Sequence, residues 1–343
     1  MMTKKTTPTL TFFNNKGGVG KTTLVYHLSW MLSLLGVKTL VIDCDPQANL
    51  TAAFLDESTL LDLWDERDKG GVNSVYESVK PLTRIGDFAL PKPYTVSDNL
   101  YLIAGDLSLS SFEDQLSEQW GKALSEESNE RAMLVLSSFW RMAQKSAETL
   151  KADVIIFDVG PNLGAINRAI LIGTDHVVVP LAADMFSLQG LRNLGPALTK
   201  WRKDWKHRLD IVKEAVGSLP SGEAAVLGYI ALQHQERLKR PVQAYVSWLD
   251  RIPMQYRKSL VSEQTAADQH VDIENDPYCL ARLRHYKSLI PLAQEARKPV
   301  FLLKSADGAI GSHAGAVNKA YEDFELLAKK ILSKMKISIP LKT

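Results

Sequence analysis

The chain has 343 residues, of which 45% are hydrophobic and 23% are charged, and its formal net charge is +2. This length allows one large α/β domain or two smaller ones, and the small net charge excludes a polycation, so any nucleic-acid contact would need a local basic face. Its two cysteines, Cys44 and Cys279, form no CxxC pair, which argues against a disulfide framework, a zinc site or an iron–sulfur cluster.

The amino-terminal sequence, MMTKKTTPTLTFFNN, lacks the apolar core of a signal peptide. No stretch of the chain approaches the roughly 18 unbroken apolar residues that a membrane span requires. We therefore expect a cytoplasmic protein without a transmembrane segment.

Short apolar runs alternate with helical patterns along most of the chain. The patterns at residues 22–36 and 313–336 predict an early helix that ends at Gly36 and a closing helix. This alternation predicts an α/β fold with a mainly parallel sheet and helices on both faces. The predicted strands are PTLTFFNN, VKTLVIDCD, DNLYLIAG, ADVIIFDVG, TDHVVVPLA and AAVLGYIALQ.

The strongest motif is a glycine-rich loop between the first predicted strand and the first predicted helix. Glycines let the backbone wrap around phosphate oxygens, and the N–H groups at the helix N-terminus supply positive potential. In such a loop Lys21 reaches the β and γ phosphates, and the Thr22 hydroxyl ligates Mg²⁺. The predicted nucleotide-binding residues are Lys16, Gly17, Gly18, Val19, Gly20, Lys21, Thr22 and Thr23.

The loop departs from the strict G-x-x-x-x-G-K-[ST] spacing. Asn15 stands where the first glycine is expected, and Lys16 follows it. KGGVGKT resembles the deviant Walker A loop of the ParA/MinD family of P-loop ATPases. The resemblance implies that Lys16 reaches across a nucleotide-sandwiched homodimer to the partner's phosphates, as an arginine finger does. The alternative is a solvated loop lysine.

Asp43 and Asp45 lie at the carboxyl end of the second predicted strand, where ligands bind in an open α/β sheet. DCDPQAN, residues 43–49, is similar to switch I of the ParA branch. The resemblance implies that Asp45 positions the attacking water and that Asp43 holds a water on Mg²⁺. A turn with two solvated aspartates remains the alternative.

Asp158 ends another apolar strand and resembles a Walker B aspartate, which would contact Mg²⁺ through water. It also begins a segment similar to switch II, residues 158–164. The family usually has proline at the position of Gly160, and this departure leaves the geometry of switch II open. In relatives, an amide or hydroxyl group at about the position of Gln233 helps to read the adenine.

The resemblance covers nearly the whole chain, including residues 177–194 and 289–332. We therefore expect one ParA-like P-loop domain over residues 1–343. Its divergent parts, which we expect to be elaborations of the sheet, are residues 56–98, 112–150 and 241–285.

The resemblance further implies slow, partner-stimulated hydrolysis of ATP to ADP and phosphate, with Mg²⁺, and non-specific DNA binding by the ATP dimer, which would make the protein nucleoid-associated. Residues 200–300 contain 17 Lys and Arg against 12 Asp and Glu, so the basic bias is regional. It is strongest at residues 200–210, 237–240, 256–258 and 282–287. The alternative is that these basic residues belong to an ordinary helix face exposed to solvent, which would have the same composition.

Two alternatives to a DNA-partition or cargo-positioning ATPase stay open. The divergent segments would suit a regulatory or scaffold subunit of a multi-protein bacterial assembly, for example in phage defence, bound to an unidentified adaptor protein. The basic, amphipathic tail at residues 326–343 would suit a MinD-like membrane helix, but it has no Trp or Phe anchors, so we expect no membrane contact.

Overall fold

A computed structural model describes residues 6–65, 71–84, 86–125, 129–212, 217–233, 242–261, 271–284, 286 and 288–340. At residues 64, 65, 233 and 242–246 the description covers the backbone alone. The basic segment 237–240 lies outside the described residues, as do positions 285 and 287 of the segment 282–287.

The core of the fold is one sheet, whose strands run in the order β3-β4-β2-β5-β1-β6-β7-β8 in the described part of the chain. All neighbours pair in parallel except β3 and β4, which are antiparallel. This confirms the predicted mainly parallel sheet. The strands are β1 (Thr9–Phe12), β2 (Thr39–Asp43), β3 (Tyr94–Ser97), β4 (Leu100–Ile103), β5 (Val154–Asp158), β6 (His176–Ala182), β7 (Ala225–Gln233) and β8 (Cys279–Arg284).

Helices cover both faces of the sheet, as the alternating pattern predicts. The α-helices of the described chain are α1 (Lys21–Leu34), α2 (Asn49–Phe54), α3 (Glu57–Asp65), α4 (Val75–Val79), α5 (Glu113–Lys122), α6 (Asn129–Leu136), α7 (Ser138–Leu150), α8 (Ala165–Ile172), α9 (Met185–Ile211), α10 (Val242–Tyr256), α11 (Ile290–Ala296) and α12 (Ser312–Met335). One apolar core joins α1, α11 and α12 to the sheet, and a second core joins α4–α10 to its other face.

The order of the strands brings several loops to one edge of the sheet. β1 and β2 each pair with β5, and all three are fully buried, so their residues form continuous apolar runs. Because parallel strands end at the same edge, the loops after these three strands meet there. These are the glycine-rich loop, switch I and switch II.

Two strands of the sheet are absent from the sequence-based prediction. β3 has four residues, none of them buried, and follows Pro91 and Pro93, so it gives no apolar run. β8 is an edge strand that carries the exposed Arg282 and Arg284 between buried residues. Charged side chains protect an edge strand from aggregation, but they also hide it from a search for apolar runs.

The closing helix α12 turns its apolar side toward the sheet. Phe324, Leu327 and Ile331 are buried in the same core as α1. The apolar face that a MinD-like membrane helix would need is therefore covered by the protein itself. Within the described ranges no helix has the length and apolar character to cross a bilayer.

Candidate nucleotide site

The glycine-rich loop connects the end of β1 to the start of α1. Gly18 and Gly20 have φ values of 71° and 75°, in the left-handed region that favours glycine. Gly20 is also the N-cap of α1 and offers no side-chain acceptor to the first turn. The free N–H groups of that turn point out of the helix, which makes the loop a ready anion site.

Lys21 is buried within this loop, and its ammonium donates hydrogen bonds to the carbonyl oxygens of Asn14, at 3.2 Å, and Lys16, at 3.3 Å. Burial lowers the pKa of Lys21, while the charges of Asp158 and Asp45 oppose that shift. An ammonium has three donors, so two carbonyl contacts leave one N–H for an anion in the loop.

Asp43 and Asp158 are register partners in the pairing of β2 with β5, so their side chains lie next to each other on one face of the sheet. Both residues are fully buried. Burial raises the pKa of Asp43 to about 6, although hydrogen bonds from Thr51 oppose the shift. Burial, together with the charge of Asp43, raises the pKa of Asp158 well above its ordinary value. The site therefore favours a cation.

Neither carboxylate oxygen of Asp158 has a hydrogen bond of good geometry, although the Thr22 hydroxyl lies near enough to lower the pKa of this group. Buried carboxylates are ordinarily paired, so this group is available to a cation or its water. Among the described residues no cluster of three His, Cys, Asp or Glu side chains could hold a metal alone. These features fit Mg²⁺, which takes one or two carboxylates together with phosphate oxygens and water.

Thr51 of α2 organises the Asp43 side of the site. Its N–H and its hydroxyl both donate to Asp43 Oδ2, at 2.8 and 2.7 Å, and its Oγ1 accepts from the N–H of Gly105 at 2.7 Å. All three residues are buried. The sequence analysis misses Thr51, and the signal for it would have been a hydroxyl residue soon after the strand-end aspartate.

Switch I and switch II touch at Asp45 and Gly160. Asp45 Oδ1 accepts from the N–H of Gln47 at 3.0 Å, which fixes the turn after β2. A Cβ added to Gly160 would lie 3.3 Å from that same oxygen. Any side chain there would crowd Asp45, which gives a physical reason for glycine where relatives usually have proline.

Lys16 forms an ion pair with Asp184 of its own chain, and its ammonium lies 5.9 Å from the ring centre of Phe186. Asp184 is also the N-cap of α9, where it accepts from the N–H of Ser187 at 2.8 Å. The sequence analysis misses Asp184, although an aspartate directly before a helical pattern is a recognised start signal. The role of Lys16 across a dimer stays a prediction.

Gln233 ends β7 at the same edge of the sheet, where it pairs with Arg284 of β8. The side chain of Leu232 lies 3.5 Å from the position that a Cβ on Gly20 would take, so this strand end approaches the loop. The backbone thus lies near the site, and the adenine contact of Gln233 stays a prediction.

The basic and aromatic stretch at residues 200–210 belongs to α9. Trp205 and Arg208 are buried, and the indole N–H of Trp205 donates to the carbonyl of Pro220 at 2.9 Å. Arg257 of the segment 256–258 is buried too and forms an ion pair with Asp276 at 2.6 Å. Several basic and aromatic residues of these segments are therefore part of the protein interior. Lys203 and Lys206 are exposed.

A family model described as an AAA domain matches residues 7–211, more than half of the chain, and includes the loop and both switches. The chain belongs to the ParA/MinD family of P-loop ATPases. More closely, this is a family of partition and positioning ATPases of the ParA type. The resemblance read from the loop and the switches is thus confirmed.

The chromosome-partitioning ATPase Soj of Treponema pallidum is 29% identical over 184 residues, which are 53% of this chain and 60% of Soj. The chain matches only 60% of the length of Soj. We therefore propose, and do not infer directly, that this chain shares the activity of Soj.

Two solved structures share the fold over almost the entire chain. Protein DIP2308 from Corynebacterium diphtheriae has a TM-score of 0.70 and 23% identity, and the match covers 96% of this chain and 98% of that one. The structure of pNOB8 ParA bound to nonspecific DNA has a TM-score of 0.56 and 18% identity, with 96% and 99% covered. The predicted P-loop fold is thereby confirmed.

The contacts of Thr51 generate a stability prediction. Thr51→Val leaves the buried Gly105 N–H without its acceptor and removes one donor from Asp43, so we expect the free energy of unfolding to fall by about 2 to 3 kcal/mol. Thr51→Ser retains the hydroxyl, so its free energy of unfolding should fall clearly less. Urea denaturation measures both variants, with Thr149→Val as an exposed control expected within about 0.5 kcal/mol of wild type. Equal losses in the Val and Ser variants would contradict the role of the hydroxyl.

Proposed function

We propose that this chain is an ATP-dependent dimerisation switch, which binds non-specific DNA as a dimer and resets by slow ATP hydrolysis. The observation that carries the proposal is Lys16, a second lysine placed directly before the glycines of the phosphate loop. Lys21 already serves the loop from within, so a further lysine suits the phosphates of a nucleotide held by a second protomer. The protein would act in the cytoplasm, on the nucleoid.

Each residue of the site has a chemical task in this proposal. When bound, ATP with Mg²⁺ would supply the phosphoryl group for transfer and further positive charge beside Asp158. Lys21 and the N–H groups of the loop would bind the phosphates, and the Thr22 hydroxyl would be a ligand of Mg²⁺. Asp43, fixed by Thr51, would accept a hydrogen bond from a water ligand of Mg²⁺. Gln233 would contact the adenine.

Asp45 holds the attacking water. It lies beside Gly160, so switch I and switch II meet at this carboxylate. Its Oδ1 is engaged by the turn of its own loop, so the carboxylate is held in orientation. A carboxylate that orients water and does no covalent chemistry suits a slow hydrolysis, which a partner protein could accelerate.

To act in a dimer, Lys16 must leave the carboxylate of Asp184 and bind the phosphates of the partner's nucleotide. Its ion pair with Asp184 satisfies the charge in the single protomer. Next to Asp184, Met185 and Phe186 are 55% and 65% exposed. Large apolar side chains exposed beside a reactive group are typical of a contact surface, and we assign that surface to the second protomer.

DNA binding is supported by the fold and by exposed lysines on α9. The structure of pNOB8 ParA contains nonspecific DNA, and this chain has the same fold. Lys203 and Lys206 are exposed and three positions apart on α9, so they lie on one side of that helix. Lysines in such a place suit contacts with DNA phosphates.

A second candidate function is a regulatory or scaffold subunit whose ATP dimer assembles other proteins. One observation favours it, because α5, which lies in a divergent segment, packs against α8 directly after switch II. A partner bound to α5 and α6 would then act on the nucleotide site. DNA binding would be absent or independent of ATP in this case.

Sizing the protein with ATP and with ADP tests the switch. Wild type should double its mass from 38.1 kDa with ATP and remain a monomer with ADP. Lys16→Ala should remain a monomer with ATP, because the charge across the interface is lost, while Asp45→Ala should accumulate the dimer. Light scattering measures the mass, and Lys329→Ala on α12 is a matched control. A normal ATP dimer in Lys16→Ala would contradict the role of Lys16.

Salt dependence of binding to random duplex DNA tests the DNA contact. With ATP, replacing Lys203 and Lys206 by alanine removes four lysines from the dimer, so the slope of log K against log salt should fall by about 3.6, or about 0.9 for each lost phosphate contact. Fluorescence anisotropy measures binding, and Lys329→Ala should keep the wild-type slope. Equal binding with and without ATP would contradict the DNA-binding switch. An ATP dimer that does not bind DNA would favour the scaffold function.

A further inference from the structure

The N-terminus of α8 depends on another helix for its cap. Its N-cap residue is Gly164, which has no side chain to accept the free N–H groups of the first turn. The N–H groups of Ala165 and Ile166 instead donate to the two carboxylate oxygens of Glu113, with Ile166 at 3.0 Å. Glu113 is the first residue of α5, 52 positions before Ala165.

Features of both Gly164 and Glu113 favour this contact. A Cβ on Gly164 would overlap Oε1 of Glu113, so glycine at that position allows the carboxylate to approach. The negative charge of Glu113 also faces the positive end of the α8 dipole, which strengthens both hydrogen bonds. Glu113 thereby supplies the cap that the local sequence of α8 lacks.

A second contact fixes α5 against α8 about two turns further along α5. The guanidinium of Arg168 lies 3.7 Å from the ring centre of Trp120, close enough for a strong cation–π contact. The carbonyl oxygen of Trp120 accepts from Arg208 of α9, which holds α5 from the other side. The start of α8 therefore cannot shift without a shift of α5.

The start of α8 in turn holds switch II. The side-chain amide of Asn167 donates to the carbonyl oxygens of Gly160, at 2.9 Å, and Asn162, at 2.8 Å. Gly160 is the residue that packs against the carboxylate of Asp45. A continuous set of contacts thus runs from Glu113 through α8 to Gly160 and Asp45.

We propose that Glu113 is a positioning residue for ATP hydrolysis, which sets the place of switch II against Asp45 from the divergent segment at residues 112–150. The inference rests on the proposed function, because it assigns Glu113 to the same hydrolytic site. Glu113 touches neither nucleotide nor water in this account, so its loss changes the rate of the chemical step and leaves nucleotide binding intact.

Steady-state ATPase kinetics on Glu113→Gln test this role. The amide keeps the size of the side chain and one acceptor oxygen but loses the charge and the second acceptor. We expect kcat to fall by about tenfold, with KM for ATP within about twofold of wild type, because a misplaced switch affects the transition state alone. Glu113→Asp should recover part of the rate. Glu118→Gln, an exposed change on the same helix, should match wild type.

Hydrogen–deuterium exchange over residues 160–172, read by mass spectrometry without nucleotide, tests the contact independently of hydrolysis. Glu113→Gln should speed exchange there and leave α1 unchanged. Faster exchange with a wild-type kcat would overturn the positioning role, as would a fall in kcat matched by an equal rise in KM. If wild type itself binds ATP but does not hydrolyse it, the proposed function fails as well, whereas an active wild type with an unaffected variant refutes Glu113 alone.

Discussion

Two buried carboxylates, Asp43 and Asp158, lie side by side at the ends of neighbouring parallel strands, and the site is arranged around their charge. Burying two like charges is costly unless each has a partner. Thr51 supplies partners for Asp43, whereas Asp158 is stabilised by the nearby Thr22 hydroxyl and the charge of Lys21. The buried Lys21 contributes a nearby positive charge. The site therefore has an excess of negative charge, which Mg²⁺ bound together with a nucleotide would offset.

The sequence was sufficient to predict the central sheet and the loop because both depend on neighbouring residues. Continuous apolar runs identify strands buried on two faces, and the glycines mark where the backbone turns left-handed. The edge strand β8 was not found because its exposed arginines interrupt the run.

The missed site residues act over distances that no local pattern records. Asp184 pairs with Lys16 across 168 positions, and Glu113 caps a helix 52 positions away. The basic stretch at residues 200–210 shows the opposite problem, in which a clear local pattern predicts the wrong environment for some of its residues. Its sequence is typical of a nucleic-acid surface, yet Trp205 and Arg208 are buried, because sequence spacing does not tell which side of a long helix faces the core.

The long helix α9 joins the two regions that set the behaviour of the site. Asp184, its N-cap, holds Lys16, and Arg208 near its other end holds α5 through the Trp120 carbonyl. A helix of this length spans about 40 Å, so it lies against the loop at one end and the α5 segment at the other. The lysine proposed to act on a partner and the segment proposed to position switch II are thus attached to the same helix.

Mixing Lys16→Ala with Asp45→Ala tests the central claim, that one protomer's lysine completes the other protomer's site. Neither variant should hydrolyse ATP alone. In a mixed dimer the Lys16→Ala protomer keeps its Asp45 and receives Lys16 from its partner, so one site is intact. An equal mixture should hydrolyse ATP clearly faster than either variant alone, because each mixed dimer has one working site. A mixture as inactive as its two components would contradict the claim.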